Sequence, residues 1–150
     1  MAAPHPSRGA RRRADGLAPL VVVELQRATH RAGVRLEALL AGAGVSQGEG
    51  HVLALLADGG KHTVGELQRG LGHHPSTLSG ILDRLETRGL VRRALNSVDR
   101  RSFLISLTRS GGVTARLVVD ALQRVEREAL ARVSSRDVAG FLAVARAFEE

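Results

Sequence analysis

Ser76, Thr77 and Ser79 follow directly on His73-His74-Pro75, and Arg100 and Arg101 stand side by side further along the chain. Short hydroxyl side chains at the start of a helix both donate and accept, so they can reach base edges or phosphates from within a DNA major groove. Helix capping and contact with water would use the same groups. Paired arginines at a ribbon tip suit a narrow minor groove, where negative potential concentrates; a solvated turn is the plainer alternative. Lys61, Arg88, Arg92 and Arg93 are candidates for phosphates, contacts that position a protein without reading sequence. Arg84 is a candidate too, although an ion pair on the helix surface would account for it nearly as well. Adjacent histidines can bind metal, but neither His73 nor His74 has a further ligand-type residue three or four positions away. DNA-backbone contact is the better expectation for both, and no metal or cofactor is expected.

Catalysis is short of parts. The chain has no GxSxG, no HExxH, no glycine-rich phosphate loop and no paired carboxylates. With no cysteine, disulfides, thiolate nucleophiles, Cys-ligated zinc and thiol-based sensing are all excluded. The chain reads as a non-enzyme. The net charge is +7, and its placement says more than its size. Residues 61–109 hold nine Lys/Arg against four acids, and residues 1–16 hold four arginines against one aspartate. The remainder is close to neutral. A basic excess confined to two segments is what a polyanion-binding surface produces.

Those residues need elements to position them. Leu25, Ala28, Ala32, Leu36, Leu39, Leu40 and Ala43 recur at helical spacing from Pro19, and Gly42 and Gly44 end that helix. Ser46-x-x-Glu49 is a capping box opening a second helix with Val52, Leu53, Leu55 and Leu56 inside; Asp58-Gly59-Gly60 stops it. Thr63-x-x-Glu66 opens a short third helix. Pro75 suits the first turn of a fourth, which Gly89 closes. In this fourth helix Leu78, Ile81, Leu82 and Leu85 form one stripe; Ser76, Gly80, Asp83 and Thr87 face the opposite way, flanked by Thr77 and Ser79. Then the period changes from 3.6 to 2. Residues 90–93 and 103–107 read as two strands joined by the turn-rich segment 96–101, a β-ribbon tipped by the arginines. Thr108 and Ser134 cap two last helices.

At the N-terminus, Arg11–Arg13 before Leu17–Val23 imitate an export signal only faintly, because Glu24 ends the apolar run and no small-residue cleavage site follows. No stretch approaches the roughly 18–20 apolar residues of a membrane span. A soluble, cytoplasmic protein without membrane partners is expected. Residues 1–16 are read as a disordered basic tail and 17–150 as one domain, with no internal repeat.

Taken in order, these fragments resemble the MarR family of bacterial regulators. The resemblance rests on Ser46-x-x-Glu49-x-x-Val52-Leu53-x-x-Leu56, Thr63-Val64-x-Glu66-Leu67 and Ser76-Thr77-Leu78-Ser79. Its densest part is Leu82-Asp83-Arg84-Leu85-Glu86-Thr87-Arg88-Gly89-Leu90-Val91-x-Arg93, followed by Asp99-x-Arg101 and Leu107-Thr108-x-x-Gly111. It implies a mostly α fold with a small β-ribbon (α+β): a winged helix-turn-helix lobe over 45–108, flanked by N- and C-terminal dimerisation helices over 17–43 and 109–150. The apolar faces of the terminal helices, too broad for the lobe to cover, agree with homodimerisation. It implies a sequence-specific DNA-binding transcriptional regulator, a repressor on a pseudo-palindromic operator in double-stranded DNA, released by a small-molecule effector. A nonspecific architectural DNA protein and a winged-helix protein-interaction module are the alternatives.

By the same resemblance Arg101 enters the minor groove and Asp99 orients it through an ion pair. A ligand cleft between the dimer helices and the lobe would lie near Arg27, His30 and His51. Three departures stand out. Gln68 replaces a small residue, and Gly48 and Gly50 lie early in a helix at a cost of roughly 1 kcal/mol each relative to Ala. Gly80 stands where relatives often carry arginine. It either lets the backbone approach DNA or is a tolerated weakness.

Overall fold

A computed structural model describes residues 20–72 and 74–148. The basic tail expected over 1–16 and the expectation for His73 both lie outside the described residues. The element order is α1 (Val21–Leu40), α2 (Gln47–Leu55), β1 (His62–Thr63), α3 (Val64–Leu71), α4 (Pro75–Thr87), β2 (Val91–Leu95), β3 (Phe103–Leu107), α5 (Arg109–Leu130) and α6 (Ser135–Arg146). The mostly α winged-helix architecture is as expected, with one addition. The expected two-stranded ribbon is a three-stranded antiparallel sheet in the order β1-β3-β2. His62 pairs with Ile105 and Thr63 with Leu104. Two residues are too few to show a period-2 pattern, so β1 leaves no trace in the sequence.

The helix starts form as their caps require. The Ser46 N–H donates to Glu49 Oε2 at 2.9 Å, and the Glu49 N–H to Ser46 Oγ at 3.3 Å. Thr63 and Glu66 repeat the arrangement at 2.7 and 3.2 Å. Thr108 and Ser134 each accept the N–H three residues on. The first helix ends earlier than its pattern suggested: α1 stops at Leu40, and Ala41–Ala43 tighten into a 3-10 turn. The second strand runs two residues further, to Leu95.

The core gathers around α2. Leu40, Val52, Leu53, Leu56, Leu67, Leu78, Leu85 and Ile105 are fully buried, with Leu82 and Val118 almost so. All four stripe residues of α4 are inside. At about 1.5–3 kcal/mol each, their burial far exceeds the helix cost of Gly80, roughly 1 kcal/mol. The two departures in α2 have a packing reason. A Cβ on Gly48 would stand 3.0 Å from Ile81 Cδ1, and one on Gly50 2.9 Å from Leu40 Cδ1. Neighbouring helices occupy the volume a side chain would take. No α6 residue is buried, and Phe141, Leu142 and Val144 stand about half exposed.

Candidate nucleic-acid interface

With the apolar stripe of α4 inside, its opposite side must face solvent. Ser76, Thr77 and Ser79 are exposed and Gly80 is half-buried. His74 precedes the helix with extended backbone and makes no side-chain cap. Its Nδ1 lies 2.9 Å from Ser76 Oγ instead, ordering the first turn beside Pro75. The left-handed Gly72 (φ 62°) ends α3 just before this point. The hydroxyl row is therefore presented as expected, at a helix N-terminus whose free N–H groups favour anions.

The tip of the β2–β3 hairpin is organised by its own side chains. The Asn96 N–H donates to Ser102 O at 3.0 Å, and Asn96 Oδ1 accepts the Val98 N–H at 3.0 Å. Asp99 Oδ1 accepts the Arg101 N–H at 3.0 Å. Arg100 and Arg101 are left exposed. The ion pair by which Asp99 was expected to orient the tip is not formed: the carboxylate holds the Arg101 backbone, and among the described residues Asp99 joins no ion pair. A tight turn brings a main-chain N–H nearer the carboxylate than the long guanidinium. Asn96 and Ser102 were missed at the sequence level, although their turn-forming types are a usable signal.

The other basic candidates divide. Lys61 is exposed, and Arg92 is exposed with its Nε donating to Ser106 Oγ at 3.1 Å. Arg88 and Arg93 are engaged by the protein itself. Arg93 pairs with Asp83 and, at 3.1 Å, with Glu86, pinning β2 to α4. Arg88 donates to Glu49 Oε2 at 3.3 Å and to Gly44 O at 2.8 Å. Arg84 Nε reaches the other Glu49 oxygen at 3.4 Å while its side chain stays 59% exposed. Burial pushes the Glu49 carboxyl up, but the Ser46 N–H and hydroxyl, the Arg88 charge and the Arg84 hydrogen bond outweigh it, and the group ends below its ordinary value. Sequence reading found Glu49 as a cap and missed this second role, because its partners lie 35 and 39 residues away.

A cleft of about 460 Å³ lies between α1, α2 and α5, lined chiefly by Leu36, Leu122, Val125 and Leu130, with Thr29, Gln47, His51 and Glu126 as polar members. Of the three residues expected near a ligand, only His51 lines it. Arg27 pairs with Glu24 at 3.0 Å, and His30 is exposed elsewhere on α1. Among the described residues no three His, Cys, Asp or Glu side chains gather to hold a metal, and no helix is long and apolar enough to cross a membrane.

The family model described as MarR family matches residues 45–103, the stretch from the second helix to the start of β3. The chain is similar to the HTH-type transcriptional regulator YwhA of Bacillus subtilis (strain 168). The two are 26% identical over 100 residues, which is 67% of this chain and 72% of that protein. It is also similar to the HTH-type transcriptional repressor YetL of the same organism, 35% identical over 78 residues, 51% of this chain and 47% of that protein. Among solved structures, the fold matches that of S. aureus MepR in its DNA complex, with a TM-score of 0.76 and 20% identity, covering 87% of this chain and 97% of that one.

Proposed function

Residues 45–103 belong to the MarR family of winged-helix, DNA-binding transcriptional regulators, and from this premise we propose that the chain acts in the cytoplasm as a homodimeric repressor on a pseudo-palindromic operator. One observation carries the reading: α4 buries Leu78, Ile81, Leu82 and Leu85 and exposes Ser76, Thr77 and Ser79. A helix held that firmly on one side and lined by short hydrogen-bonding groups on the other suits a major groove. His74 at its start and Lys61 and Arg92 nearby add backbone contacts, and Arg100 with Arg101 enters the flanking minor groove.

Dimerisation is supported by apolar side chains left bare on three helices: Val21 and Val22 on α1, Leu117 on α5, and Phe141 and Leu142 on α6. Two-fold symmetry of the protein would impose two-fold symmetry on its site. The cleft beside His51 has the size and apolar lining of a small-molecule site, so an effector binding there would act on the helix that braces α4. The repressor YetL is a relative that fits this sign of regulation.

The test is a titration of duplexes tiling the DNA upstream of its own gene, with a random duplex as competitor and sedimentation to count subunits. One duplex bound by two chains, and resisting competition, supports the proposal. Equal competition by random DNA would favour an architectural protein, and no DNA binding at all a protein-interaction module.

A further inference from the structure

Gly80 and Arg84 lie one turn apart on α4, and the structure places the second over the first. A Cβ built on Gly80 would stand 3.6 Å from Arg84 Nη1, the one side-chain atom within 4 Å among the described residues. Gly80 belongs to the outward-facing set of Ser76, Asp83 and Thr87, so the Arg84 guanidinium lies back across the surface that faces away from the core. Its Nε points to Glu49 Oε1 at 3.4 Å. Glu49 is almost fully buried, capped to Ser46 and held on its other oxygen by Arg88. A carboxylate whose Oε2 is held by both Ser46 and Arg88 is a rigid anchor for a flexible side chain. With Nε turned inward, the Nη1/Nη2 end of the fork remains for an outside partner, and the side chain is 59% exposed.

We propose that Glu49 is a positioning residue that lays Arg84 across Gly80, so that Arg84 presents a two-pronged donor to a guanine edge in the major groove from the place a side chain at position 80 would otherwise fill. The inference rests on the regulator reading above. Guanine fits because its O6 and N7 accept side by side, matching the two free prongs of an arginine. A lysine ammonium keeps the charge and loses the fork. A Cβ at position 80 would only touch the guanidinium, at 3.6 Å, whereas a long side chain there would compete for its place.

The experiment selects bound sequences from a randomised duplex library with the full-length chain, then titrates the best duplex and a random one. It compares wild type with Glu49→Gln, Arg84→Lys, Arg84→Ala and Glu49→Gln/Arg84→Ala. Glutamine keeps the capping box, which accepts Glu or Gln at that position, so a thermal melt separates loss of fold from loss of positioning. Arg84→Lys is a surface change that tests the same fork should Glu49→Gln melt early. Arg84→Ala should erase preference for guanine at one position per half-site, and Arg84→Lys, whose ammonium still reaches guanine without the fork, should weaken it. The alanine change should lower affinity for the selected duplex about 5- to 150-fold, the worth of one two-pronged contact. Glu49→Gln should lose part of the same preference with random-duplex binding nearly unchanged, and it should change nothing further in the Arg84→Ala background. The role given to Glu49 is overturned if Glu49→Gln weakens both duplexes equally, or weakens the selected one just as much when Arg84 is already alanine. The role given to Arg84 is overturned if Arg84→Ala keeps the guanine. A wild-type chain that selects no sequence would sink the regulator reading itself, a distinct result.

Discussion

Arg88 and Arg93, both expected on phosphates, are held by carboxylates of the protein, and the wing-tip aspartate serves a backbone N–H. Side-chain type and spacing reveal that a charge is present; they do not reveal which opposite charge folds beside it. Arg101 and Thr77 keep outward positions, and in the proposed complex they divide the reading of a half-site between them. Arg101→Ala should cost about 1–3 kcal/mol of binding and weaken preference for A·T at its flanks, whereas Thr77→Ala should relax selectivity at its centre. Binding measured across a duplex library checks this, and one uniform loss from both changes would refute the division. A second prediction follows from titration. Glu49 and Glu66 lie below the ordinary 4.5 and Asp58 below 3.8, so each adds stability that is complete above those values. It is lost as pH falls through the lowered, folded-state values. The causes are local: for Asp58 the Gly60 N–H and then His62, for Glu66 the Thr63 N–H and hydroxyl. Melting temperature should therefore fall on the acid side of 4.5, and Glu49→Gln should flatten part of that fall. A curve identical to wild type would mean that the Glu49 charge has no stabilising partner.

Among the elements, close approach of backbones governs more than helix propensity. α5 begins against the end of α4 and the start of the wing, with Thr108 Oγ1 donating to Gly89 O at 2.6 Å. A Cβ on Gly111 would fall 1.8 Å from Leu90 O, a main-chain atom with nowhere to go. Gly111→Ala should therefore give insoluble or largely unfolded protein. Gly42→Ala, with nothing within 4 Å, should be neutral or stabilising by up to about 1 kcal/mol. Circular dichroism melts distinguish the two, and an ordinary melt for Gly111→Ala would contradict the packing described. Helices, caps and the α4 stripe were legible because each is written in residues three or four apart. The strand β1, the reason for Gly48 and Gly50, and the brace of Glu49 on Arg84 and Arg88 were not. All of these join residues distant in sequence, and only the fold brings them together. The cleft was partly legible: His51 lines it, while Arg27, two residues before Thr29, and His30, the residue after it, are exposed and do not.

At the scale of the whole molecule, one core runs from the lobe into α1 and α5 through Leu36, Leu40, Ala115 and Val118, while α6 adds no buried residue to it. Hollows of about 410 and 430 Å³ remain where α6 meets α1 and α5, lined by Leu25, Ala28, Phe141 and Val144 in one and Leu130, Val138 and Leu142 in the other. In the proposed dimer a second copy fills them. Deleting 134–150 should leave the lobe folded and abolish both sedimentation as a dimer and tight operator binding; a truncated chain that still bound as a dimer would refute this. The bareness of α6 also reaches beyond shape. In that dimer, a helix with no buried residue of its own would be fully stable only while its partner is present, so folding of the ends and meeting of two chains would become one event. Melting temperature should then rise with protein concentration. In a cell, newly made single chains would be the first cut by proteases and paired ones the survivors. The amount of regulator would thus fall faster than its synthesis rate when expression drops, and a modest change in dose would become a sharper change in occupied operators.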